Sequence, residues 1–331
     1  MAHPAREPMT RLGLQIPSFT YPDVPDARMF ERVGEIARTA EDAGFDSIWV
    51  MDHLYQIPTV GTRDEPMLEA YTLLGGLAAR TRRARLATMV TGVTYRNPAI
   101  LAKQVTTLDV LSSGRAILGI GAAWNEDEHD GYGVDFPPLK ERFERLEEAL
   151  QICRKMFTED APSFSGRHYR VNQVLNVPRP VTPGGPPIMI GGSGERKTLP
   201  FVAMYGDGCN LFGDASTVRH KLDVLERACD LIQRDPAEIT KTKLGGLLIA
   251  EDEAGAQRKL SAYAARRGVT EEVASNFAIA GTPESVLEQI EEYLEAGLDG
   301  LVFNMPDAYD LEPVALAGET LAARLGSRSA V

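Results

Sequence analysis

Short apolar runs alternate with longer amphipathic stretches along the chain. The runs at 12–16, 47–51, 86–90, 116–120, 187–190, 208–211, 244–250 and 300–304 have the length of buried strands. The intervening stretches repeat apolar residues at helical spacing. Met29, Phe30, Val33, Ile36, Ala37 and Ala40 form one such stripe, with Asp26 as its expected N-cap and Gly44 as its stop. Pro98 at a first helical position, with Asn97 before it and Gly114 after the stripe, predicts another. Further helices are predicted over 68–80, 140–157, 195–205, 215–234, 252–268, 283–296 and 311–325. Each strand is thus followed by a helix. That alternation builds a parallel sheet, and eight such units close into a (β/α)8 TIM barrel, with an open doubly wound sheet as the runner-up.

One segment breaks the rhythm. Residues 158–186 are rich in Pro, Gly and aromatics, and the alternation at 168–177 reads as a small hairpin. Because strand–helix alternation resumes afterwards, it is expected to be an insertion in a single domain spanning 11–326, behind a loose tail of residues 1–10.

Composition narrows the function. The chain has 331 residues, 44% hydrophobic and 25% charged, enough for a core that needs neither disulfides nor structural metal. Cys153, Cys209 and Cys229 form no C-x-x-C pair, and an odd number argues against a disulfide framework, so a reducing, cytoplasmic setting is expected. No secretory or membrane-spanning run is evident. The formal net charge of -12 argues against a nucleic-acid partner, while leaving room for a small anionic ligand in a locally basic pocket. The partner expected is a small-molecule substrate.

The candidate chemistry sits just beyond strand C-termini, where α/β barrels keep their active sites. Asp52-His53 follows the second strand and can orient a ligand and exchange protons; the plainer reading is a loop pair capping the next helix. Gly119-Ile120-Gly121 begins like a dinucleotide fingerprint, but Trp124 stands where the third glycine belongs, so a Rossmann site is rejected. The small residues Gly121, Ala122 and Ala123 instead let a flat ring approach the backbone. Gly191, Gly192, Ser193 and Gly194 follow the fifth strand and lead towards a helix, a natural phosphate seat. Trp124 suggests stacking or an apolar wall. Glu126, Glu128 and His129 are rim candidates, or simply a solvated loop. Arg63, Arg96 and Lys103 are possible anion contacts, or ordinary surface charges. The five histidines lack metal-ligand spacing, so no metal is expected.

The stretches AEDAGFDSIWVMDH (40–53), YRNPAILAKQVTTLDVLSSGRAILGIGAAWNEDE (95–128), PPIMIGGSGERKTLPFVAMYGDGCNLFG (186–213) and AGLDGLVFNM (296–305) resemble the bacterial luciferase-like monooxygenase superfamily. More narrowly, they resemble its branch that uses the deazaflavin coenzyme F420. The resemblance implies a (β/α)8 barrel with insertions that transfers a hydride between F420 and a small organic substrate. It implies a ring laid against Thr88, Met89, Thr91, Gly121, Ala122 and Asn125, with the cofactor phosphate at Gly191, Gly192, Ser193 and Gly194. It places His53 beside the ring with Asp52 as its neighbour, both with catalytic roles. It also implies a non-proline cis peptide at Thr88-Met89, a homodimer, and a flavin or F420 reductase as a possible partner. Two alternatives share the same fold: a two-component FMN monooxygenase supplied with reduced flavin by a reductase, and a non-catalytic flavin-binding protein.

Overall fold

The computed structural model describes residues 7–326. In chain order the elements are β1 (Leu12–Ile16), α1 (Asp26–Ala43), β2 (Ser47–Val50), α2 (Ala70–Ala78), β3 (Arg85–Thr88), β4 (Thr91–Gly92), α3 (Pro98–Leu111), β5 (Ala116–Gly121), α4 (Glu126–Tyr132) and α5 (Leu139–Thr158). There follow β6 (Phe164–Ser165), β7 (Arg170–Val171), β8 (Ile188–Gly191), α6 (Thr198–Tyr205), β9 (Gly208–Leu211), α7 (Ala215–Leu231), β10 (Thr240–Ile249), α8 (Glu253–Arg267), α9 (Glu271–Ser275), β11 (Ala278–Gly281), α10 (Pro283–Glu295), β12 (Gly300–Asn304) and α11 (Glu312–Gly326).

Eight parallel strands run β1-β2-β3-β5-β8-β9-β10-β12 and return to β1. The β9–β10 pairing, Thr240 beside Gly208 through Lys243 beside Leu211, closes the ring and rules out the open sheet. Side chains alternate as the pleat demands. On β5, Ala116, Leu118 and Ile120 face the helices, while Ile117 points inward. The inward set is small and bulky: Met9, Trp49, Ala87, Met89, Ile117, Met189 and Val302. Trp49 fits because Gly13 faces it; a Cβ there would lie 2.7 Å from Trp49 Nε1.

Several expectations need adjustment. Residues 1–6 lie outside the described residues, but the rest of the expected tail is ordered into the fold. Met9 is buried inside the ring and donates its N–H to Thr240 Oγ1 at 3.0 Å, and Thr10 Oγ1 donates to Asp46 Oδ1 at 2.7 Å. α1 begins at Asp26 with Pro25 in the cap position, so Asp26 acts by its charge in the first turn and not as the cap. Gly44 does end that helix, in the left-handed region at φ 104°. The predicted helix from 195 starts at Thr198, because Glu195, Arg196 and Lys197 form a turn. The hairpin lies at 164–171, earlier than 168–177. Its turn is set by Gly166 donating to the Tyr169 carbonyl and by the Glu148 carboxylate taking the N–H groups of Arg167, His168 and Tyr169. The rest of the 158–186 segment is tied to α3: the buried Asp109 carboxylate accepts from Val181 N, Thr182 N and Thr182 Oγ1. β11, unforeseen, extends β10 along its C-terminal half.

Cys153, Cys209 and Cys229 are free and buried. Among the described residues no helix is long and apolar enough to cross a membrane, and no group of three or more His, Cys, Asp or Glu could hold a metal.

Candidate active site

The strand ends of the barrel open into two adjoining cavities. One, of ≈ 330 Å³, is walled by the ends of β3, β5 and β8; the other, of ≈ 320 Å³, lies over β1 and β12. They share His53, Met89, Trp124, Phe212 and Leu244 as a common boundary.

His53 leaves the end of β2 and points its Nδ1 at Glu128 Oε1, 2.7 Å away. Glu128 has no exposed side-chain surface. It is delivered by α4, whose first turn carries Glu126, Asp127 and Glu128 and whose end is capped by Gly133 at φ 66°. Leu54 N donates to Glu128 Oε2 at 2.6 Å, Tyr55 N at 3.3 Å, and Tyr95 OH donates to Oε1. Burial alone would raise this carboxyl. The hydrogen bonds from His53, Tyr95 and Leu54 N, with the charge of a protonated His53, outweigh it and hold the pKa below the ordinary glutamate value. An ionised Glu128 accepts only, so the facing Nδ1 must carry the imidazole hydrogen. That leaves Nε2 as the proton-accepting atom of the neutral ring. Trp124 meets His53 edge-on at 5.4 Å between ring centroids.

Asp52 does something different. It is buried and held bidentately by Arg96, at 2.6 and 2.9 Å, while Arg96 also reaches Glu69 Oε1 at 2.6 Å and lies over the Tyr71 ring. Burial raises the Asp52 carboxyl against the opposing charge of Arg96. Arg96 is thus an internal partner of the site, not a surface charge. Lys103, by contrast, donates to the Val177 carbonyl, and Arg63 pairs with Asp127 on the surface.

The expected ring-binding residues divide. Met89, Thr91, Gly121 and Ala122 line the cavity at the ends of β3, β5 and β8, as do Gly191 and Gly192. Thr88 is buried behind them, bonding Gly119 O at 2.9 Å and Thr91 Oγ1 at 2.7 Å. Asn125 sits at the α4 N-terminus, where its backbone carbonyl faces His129 Nδ1 at 2.6 Å. Ser193 Oγ accepts from Phe212 N, and neither Ser193 nor Gly194 lines the cavity wall. The cis peptide is Met89-Val90, one bond later than expected. The reason is register: Thr88 still pairs with Val50, and Met89 N still donates to Val50 O at 2.8 Å, so the chain leaves the ladder only after Met89.

Tyr95, Tyr71, Val90 and Thr198 escaped sequence reasoning. Val90 matters most: it fills the space that side chains at Gly121 and Gly191 would take, its atoms lying 2.9 and 2.8 Å from their hypothetical Cβ atoms. The wall of Val90, Gly121, Ala122, Gly191 and Gly192 is therefore flush, and a planar tricyclic ring fits against it. Gly192, at φ 116°, turns the chain into the loop that leads to the start of α6, where first-turn N–H groups suit a phosphate.

Comparison with known proteins agrees with this architecture. The profile of the luciferase-like monooxygenase family matches residues 10–269. The F420-dependent glucose-6-phosphate dehydrogenase of Nocardia farcinica (strain IFM 10152) is 32% identical over 300 residues, covering 82% of this chain and 87% of that protein. The coenzyme F420 dependent tetrahydromethanopterin reductase from Methanopyrus kandleri superposes with a TM-score of 0.78 at 19% identity, covering 96% of this chain and 99% of its own. The oxygenating constituent of 3,6-diketocamphane monooxygenase from Pseudomonas putida, solved with FMN, gives 0.75 at 18% identity, covering 95% and 98%. The match across most of the barrel places this chain in the luciferase-like monooxygenase family.

Proposed function

We propose that this protein is an F420-dependent oxidoreductase that moves a hydride between the deazaflavin and a small organic substrate. The observation that carries the reading is His53, locked by Glu128 on the boundary between the flush-walled cavity and its neighbour. The likeness to F420-dependent dehydrogenases at about 30% identity supports the choice of cofactor.

When bound, the deazaflavin supplies the hydride chemistry. The chain supplies position and a proton route. Met89, Val90, Thr91, Gly121 and Ala122 back the ring, with Thr88 and Asn125 bracing that wall from behind. The loop of Gly191, Gly192, Ser193 and Gly194 seats the phosphate beyond the ring wall by the N–H groups of Ser193 and Gly194, since Gly192 N already donates to Asn210 O at 3.3 Å. His53 takes or gives the substrate proton at Nε2, while Glu128 stabilises the imidazolium that results. Asp52 positions the His53 backbone through its clamp on Arg96. We further propose one domain over 11–326 with 158–186 inserted, working as a cytoplasmic homodimer alongside a reductase. The exposed apolar residues Ile100, Leu111, Val177 and Val181, on α3 and the adjoining insertion, support a dimer contact. The buried free thiols suit a reducing compartment.

The test is separate titration of purified protein with F420 and FMN. Tight F420 binding is expected, and His53→Ala should bind F420 normally while losing at least about 10²-fold in kcat. Tight FMN binding without F420 binding would overturn the cofactor, and wild-type turnover by His53→Ala would overturn the role.

A further inference from the structure

The cavity over β1 and β12 is lined by residues with three buried polar atoms that have no protein partner among the described residues: Gln15 Oε1, Tyr21 OH and Asn304 Oδ1. Gln15 is only 2% exposed, and its amide orientation is pinned because Nε2 donates to the Met89 carbonyl at 2.9 Å. Its free end is therefore an acceptor. Asn304 is the register partner of Gln15 on the neighbouring strand, so both side chains leave the same side of the sheet. The fixed acceptor is Gln15 Oε1, which in an apolar pocket is costly unless a donor is brought to it. The Asn304 amide beside it, bound to no neighbour among the described residues, presents both an oxygen and an N–H2 group. The rest of the lining is largely apolar, including Met51, Ile57, Val60 and Met305.

The cavity's cationic groups are partly committed. Its two guanidiniums are already engaged: Arg266 with Glu65 at 3.4 Å, and Arg267 with the Thr59 carbonyl at 2.8 Å while lying over the Tyr263 and Phe277 rings. A phosphate seated against Gln15 would meet the lone pairs of its fixed Oε1. A cationic ligand would enter past Arg266 and Arg267.

We infer that Gln15, Asn304 and Tyr21 form a donor-reading subsite that selects an uncharged, mainly apolar substrate bearing hydroxyl or N–H groups. It therefore disfavours sugar phosphates, unlike the named substrate of the Nocardia farcinica relative. The inference rests on reading the adjoining cavity as the cofactor seat, since His53 and Met89 border both.

The experiment measures binding by calorimetry to the full chain, with and without F420. The probes are 1-phenylethane-1,2-diol, its 2-O-methyl ether and glucose 6-phosphate. The diol should bind about tenfold more tightly than the ether, as one or two recovered neutral hydrogen bonds predict, and glucose 6-phosphate more weakly than either. The diol-to-ether ratio should fall towards one in Asn304→Leu, return in Asn304→Asp, which keeps an acceptor, and fall partly in Tyr21→Phe. An ether that binds as well as the diol would overturn the inference, as would glucose 6-phosphate binding best. Equal weakening of F420 itself by Asn304→Leu would also overturn it, by assigning these atoms to the cofactor. If F420 fails to bind at all, the cofactor reading falls, and the ratio in the cofactor-free protein still decides the subsite.

Discussion

Glu128 gathers four donors around a carboxylate that water does not reach: His53, Tyr95, Leu54 N and Tyr55 N. Its folded pKa is depressed, so the unfolded chain binds the proton more readily. The resulting stabilisation is complete above the unfolded value, near 4.5, and disappears as pH falls through the lower folded value. Glu128→Gln should therefore cost about 1–3 kcal/mol at pH 7, and less at pH 3.5, as read by urea unfolding of both proteins. An equal cost at both pH values would show that the carboxylate charge contributes nothing. In turnover, the same variant should lower kcat and alter its pH profile, because a neutral amide no longer fixes the His53 tautomer. Here the sequence was half legible. Asp52-His53 was visible as a pair, yet the two side chains part company, one to Arg96 and one to Glu128. Nothing local to residues 52–53 announces a partner 75 positions away in sequence.

The element that delivers Glu128 was hidden for a related reason. Asn125, three acids and Gly133 are the marks of a short helix, but a seven-residue helix offers no amphipathic stripe, so Glu126 and Glu128 read equally as rim candidates and as a solvated loop. Its approach is held by Arg142 of α5. The guanidinium reaches the Ala123 carbonyl, donates to Pro137 O at 3.0 Å and lies over the Phe136 ring. Ala123 itself sits at φ 59°, a conformation that an L-residue keeps only when its neighbours hold it. Arg142→Met should loosen Ala122 through Trp124 and weaken F420 binding about tenfold, equivalent to about 1.4 kcal/mol, with little change in melting temperature. Unchanged cofactor affinity would remove Arg142 from this role. Short buried strands were more legible, whereas β10, the longest, begins at Thr240 and not at 244. The runs 12–16, 208–211 and 300–304 match their strands residue for residue, because buried strands announce themselves as compact apolar runs.

At the scale of the whole molecule, alternation alone implied eight units, and the β9–β10 pairing completes the ring. What alternation could not supply was the extra β11 and the burial of Met9, since both depend on contacts between distant parts of the chain. The three cysteines have a consequence of their own. They stand on α5, β9 and α7, and burial pushes the Cys153 and Cys209 thiols up to about 12 and raises Cys229 as well. Alkylating reagents attack the thiolate. In the folded protein these groups are both neutral and out of reach, so labelling must wait for the surrounding structure to open. Cys209 and Cys229 are then a native clock for the β8–β10 flank, and Cys153 for the packing of α5 on α3. Iodoacetamide should modify them at the opening rate and more slowly when F420 occupies the Gly191–Gly192 wall, whereas fast labelling at native pH would mean that this flank is already open.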